Sequence, residues 1–159
     1  MLNARSLRSV ALCSLVALSS AACAQAFEKK NFHHNDWTKG RFSEAVTVTG
    51  PARWIYLAGV GAEAEKDGSI LHVGDFGAQC RYAYEKIRKV LAAHGATLSD
   101  VVKLVTYVVD IKDRDEMNKC RGEAFKGGPL PVHTFLVISQ LARPGMVVEM
   151  DVIAAVPVK

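Results

Sequence analysis

A chain of 159 residues is long enough for one domain whose core needs no covalent staple. Half of the residues are hydrophobic and 23% are charged, as in an ordinary globular protein. The formal net charge of +4 falls to +2 if residues 1–26 are removed, because that segment holds two of the 20 basic residues and none of the 16 acidic ones. This balance argues against a nucleic-acid partner, whose recognition requires a clear basic excess.

The first 26 residues have the pattern of a secretory signal peptide. Arg5 and Arg8 precede an apolar run that ends in small residues at Ala26. The run is too short to be a committed membrane span, so we expect export, to the periplasm in a bacterium. Residues 20–23 (SAAC) loosely resemble a lipoprotein cleavage site, so a membrane anchor through a lipidated Cys23 is the alternative.

Two cysteines, Cys80 and Cys120, remain in the mature domain, both on the apolar faces of predicted helices. Export would permit a disulfide between them. The alternative, which we favour because the sequence fixes no distance between them, is two buried thiols that act as small hydrophobic residues.

Residues 27–41 are polar, have no clear period and predict an irregular arm ahead of a domain that spans 42–157. His33, His34 and Asp36 lie on this arm. No second ligand cluster stands at a suitable spacing, so we expect neither a metal nor a cofactor.

A hairpin of two strands is predicted next. Residues 43–48 alternate between apolar and polar, 49–51 (TGP) form a turn, and 54–58 are again typical of a strand. Gly59 and Gly61 then end the second strand, and such glycines permit a ligand to approach the backbone closely.

Two helices and a buried strand between them are predicted from the middle of the chain. For the first helix, Asp75 is the expected N-cap and Gly95 the stop, and the apolar side chains recur at helical spacing. The strand covers 101–109 and is apolar on nearly every residue, so both its faces should be covered. The second helix is predicted to start with a capping box of Asp113 and Glu116 and to bury the stripe Met117, Cys120 and Ala124.

The last two strands lie within 129–156. His133 opens the first of them, while Glu149 and Asp151 share one face of the second. A carboxylate within so apolar a run needs a partner or a role. The residues alone allow structural explanations for all of these side chains. His133 could be a hydrogen-bonded histidine at a strand edge, and Glu149 or Asp151 could form an ion pair across a subunit contact. Asn118 could be an ordinary amide on the surface of a helix.

The predicted order is therefore β-β-α-β-α-β-β, an α/β (α+β) fold with both helices on one face of the sheet. The opposite face would expose apolar side chains to nothing within the chain. A monomer rarely exposes that much apolar surface, so we expect self-association.

These residues resemble the RidA (YjgF) family. Residues 40–46 (GRFSEAV) are similar to the family's opening G-P-Y-S-Q-A-V, and the likeness continues to about residue 156 through Ala58-Gly59, Gly74-Asp75, Gln79, Gly95, 100–103 (DVVK), Asn118, Phe125, Pro131, Pro144-Gly145 and 148–150 (VEM). The resemblance implies a chorismate-mutase-like fold, a homotrimer around a central β-barrel, and small-molecule clefts at the subunit contacts.

The resemblance also implies an activity. Archetypal members hydrolyse reactive enamines and imines to 2-oxo acids and ammonia, with an arginine in P-x-R-S/T that grips the substrate carboxylate and a glutamate that handles the attacking water. By position, Glu149 and His133 would be the catalytic residues. The ligand-binding residues would be Phe42, Ser43, Gly59 and Asn118.

His133 is the main departure, because it stands where the family has the arginine. An imidazole cannot make a two-pronged grip and is largely neutral near pH 7, which should cost on the order of 2–4 kcal/mol of binding. We therefore expect weak or no standard deaminase activity. Three hypotheses remain: a divergent deaminase with Glu149 as base and His133 as acid or weak carboxylate contact, a non-catalytic trimeric small-ligand-binding protein, and an endoribonuclease, which near-neutral charge and export disfavour.

Overall fold

The computed structural model describes residues 25–158, so the predicted signal peptide and Cys23 lie outside the described residues apart from the last two positions of the signal. Six strands and two helices follow in the order β1 (Glu28–Phe32), β2 (Ala45–Thr49), β3 (Ala52–Tyr56), α1 (Phe76–Ala93), β4 (Val101–Val108), α2 (Arg114–Phe125), β5 (Val132–Val137) and β6 (Val148–Pro157). Neither helix is long and apolar enough to cross a membrane, within the part of the chain that is described.

The main sheet has four strands in the order β3-β6-β4-β5, and only the β4–β5 pair is parallel. Along β4, the side chains of Leu104, Thr106 and Val108 are buried, whereas those of Val105 and Tyr107 are half-buried. The buried row packs with both helices into one core, so the predicted one-sided arrangement of helices is confirmed.

The two ends of α1 lie where residues near them in the sequence predicted. The Asp75 carboxylate accepts a hydrogen bond from the Ala78 amide at 2.9 Å, which satisfies one of the free donors of the first turn. Gly95 follows the last turn at φ +68°, a left-handed conformation that glycine adopts without strain. Both ends of this helix were predicted from the sequence.

The predicted capping box of α2 is wrong. Asp113 has helical backbone angles and its side chain makes no capping hydrogen bond. A turn of 3₁₀-helix at Ile111–Asp113 leads straight into α2 instead, and the Asp110 carboxylate caps that turn by accepting from the Lys112 amide. The capping interaction therefore lies three residues upstream of its predicted place.

Cys80 and Cys120 form a disulfide that joins α1 to α2, with their Cα atoms 6.5 Å apart. Our preference for two separate thiols is therefore wrong. Each cysteine belongs to the buried stripe of its helix, and the packing of these two stripes against each other brings the sulfur atoms together.

The predicted hairpin is also wrong, because β2 pairs with β1 and β3 pairs with β6. The strand β1 lies in the segment that was predicted to be irregular. Its side chains are mostly polar on both faces, so no alternation announces it, and backbone pairing with β2 holds it. Asn31 ties this small sheet to the main one by donating to the Leu130 carbonyl at 2.7 Å.

The face of the main sheet away from the helices is not uniformly apolar. Trp54 and Tyr56 are exposed there, at 46% and 71%. Asp151 accepts a hydrogen bond from the Tyr107 hydroxyl at 2.9 Å, which gives this carboxylate a structural partner within the chain. This face therefore has an exposed aromatic part next to a part where polar side chains are hydrogen-bonded to each other.

Candidate functional site

A cavity of about 260 Å³ lies between α2, the edge strand β5 and the segment 37–42. Its walls combine aromatic side chains with cationic ones: Trp37, Gly40, Arg41, Phe42, Arg114, Asn118, Arg121, His133 and Phe135. Three arginines and no carboxylate line it. Such a cavity favours a small anion with an apolar body.

Helix α2 supplies one wall through its periodicity. Arg114, Asn118 and Arg121 are four and three residues apart, so they project from one side of the helix. Met117 and Cys120 turn a neighbouring side into the core. The packing of that apolar stripe therefore fixes which polar residues face the cavity.

Arg121 and His133 are in direct contact at the inner end of the cavity. The guanidinium Nη1 donates to Nδ1 of the imidazole, and Nη2 donates to Oδ1 of Asn118 at 3.3 Å. Since a guanidinium has no acceptor, Nδ1 must accept, and the ring proton is on Nε2. That proton is donated to Oγ1 of Thr106, 3.0 Å away.

His133 is an uncharged acceptor in this arrangement. Burial lowers its pKa to about 3, with a further contribution from the positive charges of Arg121 and Lys103. In this chain the imidazole is therefore neutral near pH 7, with its one ring proton on Nε2.

Arg121 carries the buried positive charge of the site. It is only 8% exposed, and burial lowers its pKa. Among residues 25–158 it forms no ion pair with a carboxylate. A buried charge without an opposite partner is costly, so a negatively charged ligand would be bound favourably here.

The aromatic wall comes from the segment that precedes β2. The rings of Trp37 and Phe42 meet edge to face with centroids 5.7 Å apart, and the Arg41 guanidinium lies 5.4 Å from the Trp37 ring centroid. Glu44 holds this segment by accepting from the Thr38 hydroxyl at 3.1 Å and from the Asn35 amide at 3.0 Å. The wall is thus part of the folded domain.

Glu149 lies on the opposite face of the sheet. It pairs with Tyr107 on β4, whereas His133 pairs with Leu104, and these two β4 positions point to opposite sides. Gly59 packs closely against the Glu149 carboxylate, which would have to shift to admit a Cβ at this position. Burial raises the pKa of Glu149, and the negative charges of Glu63 and Asp151 raise it further.

Comparison with known proteins supports one family. Residues 34–156 match the family model described as Endoribonuclease L-PSP. A RutC family protein of Pyrococcus abyssi is 32% identical over 115 residues, which is 72% of this chain and 86% of the relative. The chain belongs to the RidA (YjgF) family.

Solved structures of RidA-family proteins share this fold. The Rid protein YyfB of Yersinia pestis, whose function is described as unknown, has a TM-score of 0.71 at 25% identity and covers 83% of this chain and all of its own. Rv2704 of Mycobacterium tuberculosis, described as a YjgF/YER057c/UK114 family member, has a TM-score of 0.56 at 29% identity over 81% of this chain and all of its own.

The residues expected from the RidA family fall into three places. Phe42, Asn118 and His133 line the cavity, while Gly59 and Glu149 lie together on the other face of the sheet. Ser43 belongs to neither group, since it is fully buried and donates to the Leu130 carbonyl at 2.6 Å. Within residues 25–158, no cluster of three or more His, Cys, Asp and Glu residues could hold a metal ion.

Arg121 is the functional candidate that sequence reasoning missed, together with Arg114 and Arg41. Its one signal is position: it stands three residues after Asn118, which the RidA resemblance had singled out, and directly after the buried Cys120.

Proposed function

We propose that this RidA-family protein is a homotrimer that binds small organic acids carrying an imine or enamine and hydrolyses them to 2-oxo acids and ammonia. The observation that carries the proposal is the buried Arg121 guanidinium, which contacts the very residue that stands at the family's arginine position. The positive charge expected at the position of His133 on β5 is present, although Arg121 on α2 supplies it.

Arg121 is suited to hold the carboxylate of the substrate. A guanidinium has five N–H donors, and His133 and Asn118 engage two of them. The remaining donors are available for a carboxylate, and a charge-assisted contact of this kind is worth about 1.5–3 kcal/mol. The loss that we expected from the histidine is therefore offset.

The proposal needs two chains for each site, because Glu149 and the cavity lie on opposite faces of the sheet. In a trimer, the edge strand β5 of one subunit would approach the open sheet face of the next and bring that subunit's glutamate to the cavity. The exposed Trp54 and Tyr56 on this face support its burial in such an assembly.

The reaction is a hydrolysis in which Glu149 acts as general base. Glu149 takes a proton from a water molecule as the water oxygen bonds to the imine carbon, and it passes this proton to the nitrogen, which gives a neutral carbinolamine. Glu149 then takes the proton of the carbinolamine hydroxyl and delivers it to the amine nitrogen. The C=O bond forms as the C–N bond breaks, and ammonia leaves a 2-oxo acid behind. Burial and nearby negative charges raise the pKa of Glu149, which makes its carboxylate a stronger base than an ordinary glutamate.

Export remains part of this proposal, with the periplasm as the compartment in a bacterium. The disulfide between Cys80 and Cys120 supports it, because such bonds persist mainly in oxidising compartments. Contact with a membrane would arise only through a lipidated Cys23.

The test is hydrolysis of 2-iminopropionate, generated from alanine by an amino-acid oxidase, followed through ammonia release. Wild type is expected to accelerate the decay. Arg121→Gln is expected to raise KM strongly, and Glu149→Gln to lower kcat by about 10²–10⁴-fold, while Arg81→Gln, an arginine outside the cavity, serves as control. Binding of the acid without acceleration would replace the enzyme by a non-catalytic ligand-binding protein.

A further inference from the structure

We infer that the cavity selects doubly anionic ligands, with small 2-imino dicarboxylates as its substrates. The statement about substrates rests on the proposed function and restricts the proposed substrates to dianions. The grounds are two further arginines, Arg114 and Arg41, which line the same cavity as Arg121 and which the family resemblance did not point to.

Within the described part of one chain, the three guanidinium groups have no carboxylate partner. No carboxylate among residues 25–158 forms an ion pair with Arg41, Arg114 or Arg121, although most lysines of the surface have such partners. One ligand carboxylate held by Arg121 would leave the charges of Arg41 and Arg114 in the same cavity, and the single Glu149 that a neighbouring subunit would bring offsets at most one of them. A second anionic group on the ligand offsets the positive charge that remains.

The positions of the arginines fit a ligand with a charge at each end. Arg121 is buried at the inner end, beside His133, whereas Arg114 is exposed seven residues earlier on α2, about 10 Å along the helix axis. Both side chains line the intervening space. A ligand held by Arg121 through one carboxylate therefore extends towards Arg114 and Arg41.

The size and walls of the cavity favour a dicarboxylate. Its volume of about 260 Å³ is sufficient for a four- or five-carbon diacid. Trp37, Phe42 and Phe135 contribute apolar surface for the carbon chain between the charged ends. Inorganic phosphate would use the charges and leave this surface uncovered.

Binding is tested by calorimetry of the wild type with succinate, butyrate and inorganic phosphate as probes. Succinate is expected to bind at least about ten-fold more tightly than butyrate, the value of one additional charge-assisted contact. Equal affinities for succinate and butyrate would overturn the inference, and so would tighter binding of phosphate than of succinate.

A pair of variants assigns the second contact. Arg114→Gln is expected to lower succinate affinity about ten-fold, and Lys119→Gln, which removes one charge from the same helix outside the cavity, is expected to leave it unchanged. An equal loss of succinate affinity in both variants would mean that only the net charge matters, and it would refute the assignment of the second contact to Arg114.

Hydrolysis then separates this inference from the proposed function. Preference for 2-iminosuccinate, generated from aspartate, over 2-iminopropionate supports both. Equal rates with the two imines refute the dianion preference and leave the hydrolase. Succinate binding without hydrolysis of either imine refutes the hydrolase and retains the selectivity for dianions.

Discussion

His133 and Arg121 act as one unit, and neither can be interpreted alone. The imidazole keeps its neutral form and offers Nδ1 as an acceptor, while the guanidinium keeps its charge and uses the imidazole as a support. The departure from the family motif at His133 is thus coupled to the presence of Arg121 twelve residues earlier.

Exchange of the two residues tests that coupling. His133→Arg alone places a second guanidinium against Arg121 in a buried site, so we expect a loss of about 1–3 kcal/mol in stability and no gain in activity. Arg121→His alone removes the charge and the ligand affinity. The double exchange is expected to recover most of both, with a coupling energy of about 0.5–3 kcal/mol in a double-mutant cycle. Higher activity of His133→Arg at unchanged stability would contradict the pairing.

The depressed pKa of His133 also predicts how stability depends on pH. Its pKa is about 3 in the folded chain and 6.5 ordinarily, so the unfolded chain binds a proton that the folded chain rejects between these values. The stabilisation is complete above about pH 6.5 and is lost as pH falls towards 3, by up to about 1.4 kcal/mol per pH unit. Urea unfolding at several pH values measures this slope. His133→Gln, which can still accept from Arg121 and donate to Thr106, should flatten it, and equal slopes would refute the assignment.

At the scale of elements, the disulfide between α1 and α2 is the strongest single constraint. It joins residues 40 apart in sequence, and the loss of chain entropy on closing such a loop amounts to about 4 kcal/mol. We expect the Cys80→Ala/Cys120→Ala variant to be less stable by about 2–4 kcal/mol in denaturant unfolding. Reductant should destabilise the wild type and leave the variant unaffected, and a reductant-insensitive wild type would contradict the bond.

Helix ends that depend on one or two neighbouring residues were predictable from the sequence. Strand pairings that depend on distant segments of the chain were not. Asp75 and Gly95 mark the ends of α1 because capping and left-handed turns depend on one or two residues. The partner of β2 depends on which strand of the chain pairs with its edge. The polar strand β1 occupies that edge, and nothing in its side chains reveals it.

At the scale of the whole molecule, we propose that the open sheet face forms the contact between subunits. We expect a trimer at micromolar concentration by light scattering, and Tyr56→Asp should shift it towards monomers by placing a charge where 71% of an aromatic side chain is exposed. Val90→Asp changes a partly exposed apolar residue on the outer side of α1 and serves as the control. A monomeric wild type would contradict the proposed trimer.

The same scale explains why the site was only partly predictable. Three of the residues that the family resemblance pointed to, Phe42, Asn118 and His133, line one cavity. The contribution of Arg121 depends on how α2 is rotated about its axis, which the buried stripe and the disulfide fix in three dimensions. Glu149 lies on the face of the sheet opposite the cavity because of the register in which β6 pairs with β4. This register is a property of the folded chain and cannot be read from the sequence alone.

The contact between Arg121 and His133 has a consequence for how members of this family are sorted by their sequences. A search for an arginine on the strand would place this chain among proteins without a carboxylate grip, although a guanidinium lies against that very position. Two alignment columns should therefore be read together: the strand position of His133 and the helix position of Arg121. Members with histidine in the first and arginine in the second are expected to bind organic acids, and members with a cation in neither are not.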